Sequence, residues 1–182
     1  MKALLKRLAR AVLGEYALYE VWQSAAAIPA SPRSGGVILR AVTQADLAAA
    51  ADAELRESAW YLGDEACAFG AFEGDRLLAL ACCWWGARYA ARHSWPLPER
   101  AAKLVHIVTA PAARGRGLAP LLIQHAETAL RGQGRAPLLA RIWHSNEPSR
   151  RAFRRAGWRP IGWLLLINPL RRQKPWRWLC RN

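Results

Sequence analysis

The stretch that most restricts the fold of this chain lies between residues 103 and 130. There a β-type run from Lys103 to Thr109 meets Pro111, then the basic glycine turn Arg114-Gly115-Arg116-Gly117-Leu118-Ala119, then an apolar-periodic segment. Leu118, Leu121, Leu122, Ala126 and Leu130 recur at helical spacing, and Gly132 with Gly134 supplies the stop. A strand that turns through glycines into a helix makes an anion cradle. The first-turn amides have no intrahelical acceptor, and the helix dipole is positive at that end. Gly115 and Gly117 let backbone approach a phosphate closely, and Arg114 and Arg116 add the charge that a pyrophosphate calls for. Taken alone, the same glycine pattern is equally a plain helix start.

The rest of the chain supplies alternating elements around this turn. Residues 2–24 place Leu4, Leu5, Leu8, Val12 and Leu13 on one helical stripe, with Lys2, Lys6, Arg7 and Arg10 mostly opposite, which predicts a basic amphipathic helix. Pro29, Pro32, Gly35 and Gly36 mark a connector. Residues 37–42 read as a strand, and Thr43 as an N-cap with Asp46 three residues on, ahead of a helix over 47–55. Residues 66–72 and 76–85 flank Glu73-Gly74-Asp75 as a hairpin, and 86–100 read as a loop. A strand over 137–143, a helix from Pro148 to Ala156 closed by Gly157, and a β region over 158–167 complete the order. The expected fold is α/β, a central mixed β-sheet flanked by helices, with the extra N-terminal amphipathic helix. Residues 1–36 form the helix and linker, 37–168 the domain, and 169–182 a basic tail rich in Trp and Arg.

The chain has 182 residues with 53% apolar content and no internal repeat, which suits one core. The formal charge of +14, from 27 basic and 13 acidic residues, favours an anionic partner: a nucleotide-like cofactor, nucleic acid or an anionic membrane surface. Zinc-finger spacing, a basic zipper and an aromatic RNA-binding signature are all missing, so neither nucleic acid nor a metal site is expected. The Ala, Arg and Leu bias is what a GC-rich bacterial genome produces. Cys67, Cys82, Cys83 and Cys180 contain no CxxC pair and read as core thiols of a reducing compartment. Charges interrupt the N-terminal apolar stretch, and no run of about 18 uncharged apolar residues occurs. The expectation is a cytoplasmic protein without signal peptide or spanning helix.

Arg114, Gly117 and Ala119 fit a pattern of Gln or Arg, two residues, Gly, one residue, then Gly or Ala, and Pro111 stands three residues before it. Downstream, Asn146, Ser149, Phe153, Gly157 and Trp158 form an Asn, small, aromatic, Gly, aromatic series. In these two motifs and their order, residues 37–167 resemble the GNAT superfamily of acyl-CoA-dependent N-acyltransferases. The resemblance implies a GNAT-like fold and acetyl-CoA, or another acyl-CoA, as the cofactor. The backbone of Ile107, Val108 and Thr109 would pair with the pantetheine arm, alongside Phe153, and the amides of Arg114, Gly115, Arg116, Gly117, Leu118 and Ala119 would hold the pyrophosphate. Asn146 would offer its amide to pantetheine, or serve as an Asx-turn or helix cap before Pro148, or both. The implied reaction moves an acetyl or other short acyl group to a primary amine by direct attack in a ternary complex. The alternative is a module that keeps the fold and binds acyl-CoA without catalysis.

Direct transfer from a thioester requires a neutral amine, stabilisation of the developing oxyanion and a proton for the departing thiolate. The resemblance assigns the oxyanion to the amide near Val108. It places a proton-donating Tyr where this chain has Phe153, which has no proton to give. It also places a carboxylate or histidine base early in the strand, where Lys103 stands. His106 has a suitable intrinsic pKa, but strand parity sets it on the opposite face from Lys103 unless a bulge intervenes, and a hydrogen-bonded core histidine is the alternative. His144, two residues before Asn146, is the second catalytic candidate. His93 and His125 read as solvent-facing, and Asp64 and Glu65 as a turn that could also meet a substrate ammonium.

The tail from Leu170 to Arg181 interleaves Arg with Trp, as at a membrane interface, and the N-terminal helix has a related character. Peripheral membrane contact through both ends is one expectation; packing on the domain or a homodimer contact is the other. The acceptor is then a lipid-linked, envelope-precursor amine, or otherwise a small-molecule amine or a protein N-terminus. Trp84, Trp85, Tyr89, Trp95, Arg88 and Arg92 either line an acceptor pocket or anchor a surface loop.

Overall fold

Glu73-Gly74-Asp75 forms the expected hairpin turn, and the sheet grows outward from it. The computed structural model describes residues 15–25, 36–92, 95–168 and 176–181. In chain order its elements are β1 (Glu15–Gln23), β2 (Ile38–Ala41), α1 (Gln44–Ala48), α2 (Ala53–Glu57), β3 (Ala66–Glu73), β4 (Arg76–Trp84), α3 (Gly86–Ala90), β5 (Ala102–Thr109), α4 (Leu118–Gly132), β6 (Leu138–Trp143), α5 (Glu147–Arg155), β7 (Arg159–Asn168) and β8 (Trp176–Arg181). A 3₁₀ turn, Ser58–Tyr61, follows α2. Among the described residues the eight strands make one sheet in the order β2-β3-β4-β5-β6-β1-β7-β8. The β5–β6 pair is parallel and the others are antiparallel. This is the mixed sheet with flanking helices that the sequence predicts.

Residues 15–23 depart from expectation. The helix predicted over 2–24 is a strand here, and residues 1–14 lie outside the described residues. The leucine stripe at helical spacing ends at Leu13, and from Tyr16 onward the pattern alternates with period two. Tyr16, Leu18, Glu20 and Trp22 share one face, and Tyr19 and Val21 the other. The alternation succeeds because β1 is central, hydrogen-bonded to β6 on one side and β7 on the other. Glu20, buried in this central strand, accepts from Trp22 Nε1 at 2.9 Å and pairs with Arg150 of α5 at 2.9 Å.

Two helical expectations also change. The helix predicted over 47–55 is split, because Asp52 caps a second helix by accepting from the Leu55 amide at 3.2 Å. The loop predicted over 86–100 begins with α3, whose first amides, from Ala87 and Arg88, donate to the Glu65 carboxylate at 2.5 and 3.1 Å. Glu65 is thereby committed to backbone. At α1 the capping box forms as predicted, with the Asp46 amide donating to Thr43 Oγ1 at 3.2 Å and the Thr43 amide to Asp46 at 2.8 Å. Losing this cap in Thr43→Ala is expected to lower stability by about 1 kcal/mol, read as a shift of the urea midpoint.

The register sorts side chains into two layers. Phe69, Ala81 and Ile107 stand abreast on the face covered by α4, where Phe69 meets the His125 ring edge-on at 5.3 Å. Ala68, Cys82 and His106 point to the other face, against α2 and the 3₁₀ turn. His125 is half-buried rather than solvent-facing, and burial lowers its pKa. Cys82 and Cys83 are core thiols as predicted, and burial pushes Cys82 up to about 12; Cys67 is half-buried, and Cys180, on the outermost strand β8, is exposed rather than in the core. Of the tail, residues 176–181 pair with β7 as β8, leaving Trp176 and Trp178 exposed; 169–175 lie outside the described residues. No helix among the described residues is long and apolar enough to cross a membrane.

Candidate active site

The parallel pairing of β5 and β6 lasts only from Ala102–Leu104 against Leu138–Ala140. Beyond it the strands diverge, and from Val105 to Thr109 the edge of β5 that faces β6 makes no ladder. An unpaired strand edge inside a sheet offers N–H and C=O groups to an extended ligand. The opening is lined by Val105, His106, Arg141, Trp143, Asn146 and Phe153. It joins, through Ile107, Ser149 and Phe153, a larger cleft of about 430 Å³ that reaches the glycine turn.

At the turn, Gly115 and Gly117 take φ of +81° and +75°, conformations that a side chain disfavours. A Cβ built on either glycine meets nothing within 4 Å, so the space before them is open. Gly117 is the N-cap of α4, and no side chain caps that end, which leaves the first-turn amides to a ligand. Arg114 donates from Nε to Thr109 O at 3.2 Å and lines the cleft. Arg116 instead turns to Glu73, 2.6 Å away, holding that carboxyl below its usual range. Arg151 and Arg155, four residues apart on α5, add positive charge to the wall, and Glu54 contributes a carboxylate. The free β5 edge, the open glycine cradle and three arginines fit an extended arm that ends in phosphates.

The predicted cofactor residues thus gather around one continuous cleft. Ile107, Val108, Thr109, Arg114, Gly115, Gly117, Leu118, Ala119 and Phe153 line its larger part, and Asn146 lines the narrow part. Arg116 lines neither. Asn146 caps α5, its carboxamide oxygen accepting from the Ser149 amide at 3.2 Å, so the carboxamide nitrogen is the group left to a ligand. Phe153 is buried between Trp22 and Trp158, with ring centroids 6.4 and 5.0 Å away, and is itself part of the core. Because a Cβ costs roughly 1–2 kcal/mol at the φ +75° cap, Gly117→Ala is expected to let the free turn relax out of its cradle conformation, and restoring that conformation on binding weakens acyl-CoA affinity about tenfold. Titration calorimetry reads this directly.

His106 is the more enclosed of the two histidine candidates. Its ring stacks on Tyr61, centroids 4.4 Å apart and planes 6° from parallel, and its Nε2 lies 3.1 Å from Ser58 Oγ. Ser58, buried beneath it, donates its only hydroxyl proton to Glu54 O at 2.7 Å. The serine oxygen must therefore accept from Nε2–H, which leaves Nδ1 with the lone pair. Burial lowers the His106 pKa below 6.5, partly countered by Glu54. A neutral imidazole with a defined acceptor nitrogen results. His144 is exposed outside both parts of the cleft; its amide donates to Leu18 O at 3.1 Å, and its Nδ1 lies 3.2 Å from that oxygen. His93 lies outside the described residues.

The sequence motifs point to the cradle but not to Ser58, Tyr61 or Glu54. Ser58 and His106 are 48 residues apart, and no spacing rule connects them. Arg151 and Arg155 were legible as an i, i+4 pair on one helical face. Another cavity, about 260 Å³, lies between Trp95, Pro96, Leu139, Ile161 and Leu179, and has no glycine cradle or helix start.

Residues 38–158 match the sequence model of the acetyltransferase (GNAT) family. The chain belongs to the GNAT acetyltransferase family. Solved structures of GNAT proteins share its fold. A GNAT-family acetyltransferase from Colwellia psychrerythraea superposes with a TM-score of 0.61 at 16% identity, covering 90% of this chain and 60% of that one. A GCN5-related N-acetyltransferase from Sphaerobacter thermophilus gives 0.59 at 13% identity, covering 100% and 57%. A tandem GNAT protein from the clavulanic acid biosynthesis pathway gives 0.55 at 17%, covering 98% and 56%. The chain thus spans less than two thirds of each. No curated protein matches it by sequence. The glycine turn and the β5–β6 opening both lie within the matched residues.

Proposed function

We propose that this chain transfers an acetyl or other short acyl group from acyl-CoA to a primary amine. The observation that carries the reading is the free edge of β5, which runs from beside His106 straight to the open Gly115–Gly117 cradle. Bound acyl-CoA supplies the thioester, from which the acyl group passes to the amine as a C–N bond replaces the C–S bond and coenzyme A leaves. The amides of Gly117, Leu118 and Ala119 and the guanidinium groups of Arg114, Arg151 and Arg155 hold phosphates. The backbone of Val105 to Thr109 aligns the arm, and the Ile107 amide, which strand alternation turns to the β6 side while the neighbouring Val108 faces Leu80 of β4, serves the developing oxyanion.

His106 Nδ1 accepts the proton that the attacking amine releases, directly or through one water, and Ser58 keeps Nε2 protonated so that Nδ1 remains the acceptor. Phe153 packs against the arm and takes no part in proton transfer. The open cleft lets water protonate the departing sulfur. Thiol release from acetyl-CoA over a panel of primary amines tests the reading. Acceptor-dependent release supports it, whereas tight acetyl-CoA binding without release across the panel establishes the non-catalytic module instead.

A further inference from the structure

The sheet face that carries α4 and α5 does not end at α5. Glu20 and Trp22 of β1 meet Arg150 and Phe153 of that helix, and the same face continues outward over β7 and β8. Register sets Tyr16, Leu18 and Glu20 beside Ile167, Leu165 and Trp163 of β7. Those three in turn stand beside Trp176, Trp178 and Cys180 of β8. Tyr16, Trp163, Trp176 and Trp178 are each between 39% and 50% exposed, and Leu18, Leu165 and Ile167 are half-buried on the same face. Trp176 and Trp178 meet edge-on, centroids 5.9 Å apart. A contiguous exposed apolar patch of this kind marks an interaction site.

The end of the sheet where these rings gather is also where two basic stretches of the chain join it. Glu15 opens β1 opposite Asn168, the last residue of β7, and Trp176 opens β8 opposite Ile167. Residues 1–14, with Lys2, Lys6, Arg7 and Arg10, therefore enter at this end, and the β7–β8 connection, with Arg171, Arg172 and Lys174, leaves and returns here. Neither stretch contains Asp or Glu. Indole and phenol rings combine an apolar body with a polar tip, which suits the boundary between lipid headgroups and acyl chains. Cations beside them are drawn to an anionic surface. A second copy laid face to face would cover the rings but would set two chains of formal charge +14 against each other. We infer that the face bearing Tyr16, Trp163, Trp176 and Trp178 docks on an anionic lipid bilayer, its rings in the interface and the basic stretches against the headgroups. The inference is independent of the acyl-transfer reading.

Vesicle flotation with the full chain tests it. Vesicles of phosphatidylglycerol and phosphatidylcholine are compared with phosphatidylcholine alone, at low ionic strength and in about 1 M salt, which screens surface charge. The chain is expected to float with the anionic vesicles at low ionic strength and far less in high salt. Its tryptophan emission shifts to the blue on binding and is quenched by lipids brominated near the headgroup. Trp176→Ser combined with Trp178→Ser lowers partitioning by roughly tenfold to a hundredfold. Trp60→Ser, which removes a comparably exposed ring on the other side of the sheet, leaves it unchanged. Lys2→Gln, Lys6→Gln, Arg7→Gln and Arg10→Gln together reduce the preference for anionic over neutral vesicles by roughly a hundredfold.

A chain that stays in solution with anionic vesicles at low ionic strength overturns the inference. So does a Trp176→Ser, Trp178→Ser variant that melts and partitions like the wild type, since the cations alone would then account for binding. A wild type that does not float, sediments as a dimer and becomes a monomer in that double variant assigns the face to a second copy and also overturns it. If the double variant fails to fold, quenching of the wild type decides: vesicle-bound chain whose tryptophans the brominated lipid leaves unquenched contradicts the docking face.

Discussion

Replacing His106 with glutamine is expected to lower kcat for acyl transfer by roughly 10²–10⁴, the range that a positioned general base contributes. The side chain is fixed by Tyr61 stacking and by Ser58, and its lone pair is assigned to Nδ1 by the hydroxyl that Ser58 already gives to Glu54 O. The variant removes that acceptor but leaves the glycine cradle and the β5 edge intact, so the loss falls on kcat rather than on acetyl-CoA affinity. The pH profile carries a second signature. Burial holds the imidazole pKa below 6.5, so the group is neutral at pH 7, and acid that protonates Nδ1 adds a limb to the wild-type profile below the one set by the amine's own protonation. His106→Gln lacks that acid limb. An unchanged kcat would move the base elsewhere, and the same substitution at His144 would then be the next measurement.

The second large effect is on stability and comes from a carboxylate that the sequence pattern does not single out. Glu127 on α4 is 1% exposed. It pairs with Arg131 at 2.9 Å and accepts from Trp158 Nε1 at 3.0 Å. Arg131 also donates to the Ala25 carbonyl and, at 3.4 Å, to Ser24 Oγ. This one carboxylate therefore joins α4 to the end of β1 and to the residue before β7. Glu127→Ala leaves the buried indole N–H of Trp158 without its acceptor and strips Arg131 of its counter-charge, leaving it only Ala25 O and Ser24 Oγ. A cost of about 3–5 kcal/mol follows, or roughly 10 °C in Tm for a chain of this size. Glu127→Gln, which keeps the shape and the indole bond, is expected to lose less. Calorimetry separates the two variants, and melting of Glu127→Ala alongside the wild type would contradict the account.

Those two residues show what was and was not legible in the sequence. The glycine turn, the Thr43 cap, the hairpin and the Asn146-to-Trp158 series are local: each is set by residues a few positions apart, and each appears where the spacing places it. What the sequence could not supply were contacts made by the sheet order. Residues 15–23 read as the continuation of a helix because their alternation makes sense only with β6 and β7 on either side, and neither neighbour is close in sequence. Parity put Lys103 and His106 on opposite faces, and a single bulge at Val105 brings them together. Ser58 and Tyr61 meet His106 across the sheet, and Glu127 is buried because Trp158 and Arg131 reach it. Polar residues in such places carry no periodic signal.

Backbone amide NMR spectra of the full chain, recorded while acetyl-CoA is added, test the central claim most directly. Saturable one-to-one binding is predicted, with the largest shifts at Val108, Thr109, Gly115, Gly117, Leu118 and Ala119, and smaller ones along α5 at Ser149 and Arg151. No saturable binding, or shifts gathered instead around Trp95, Leu139 and Leu179, would contradict it.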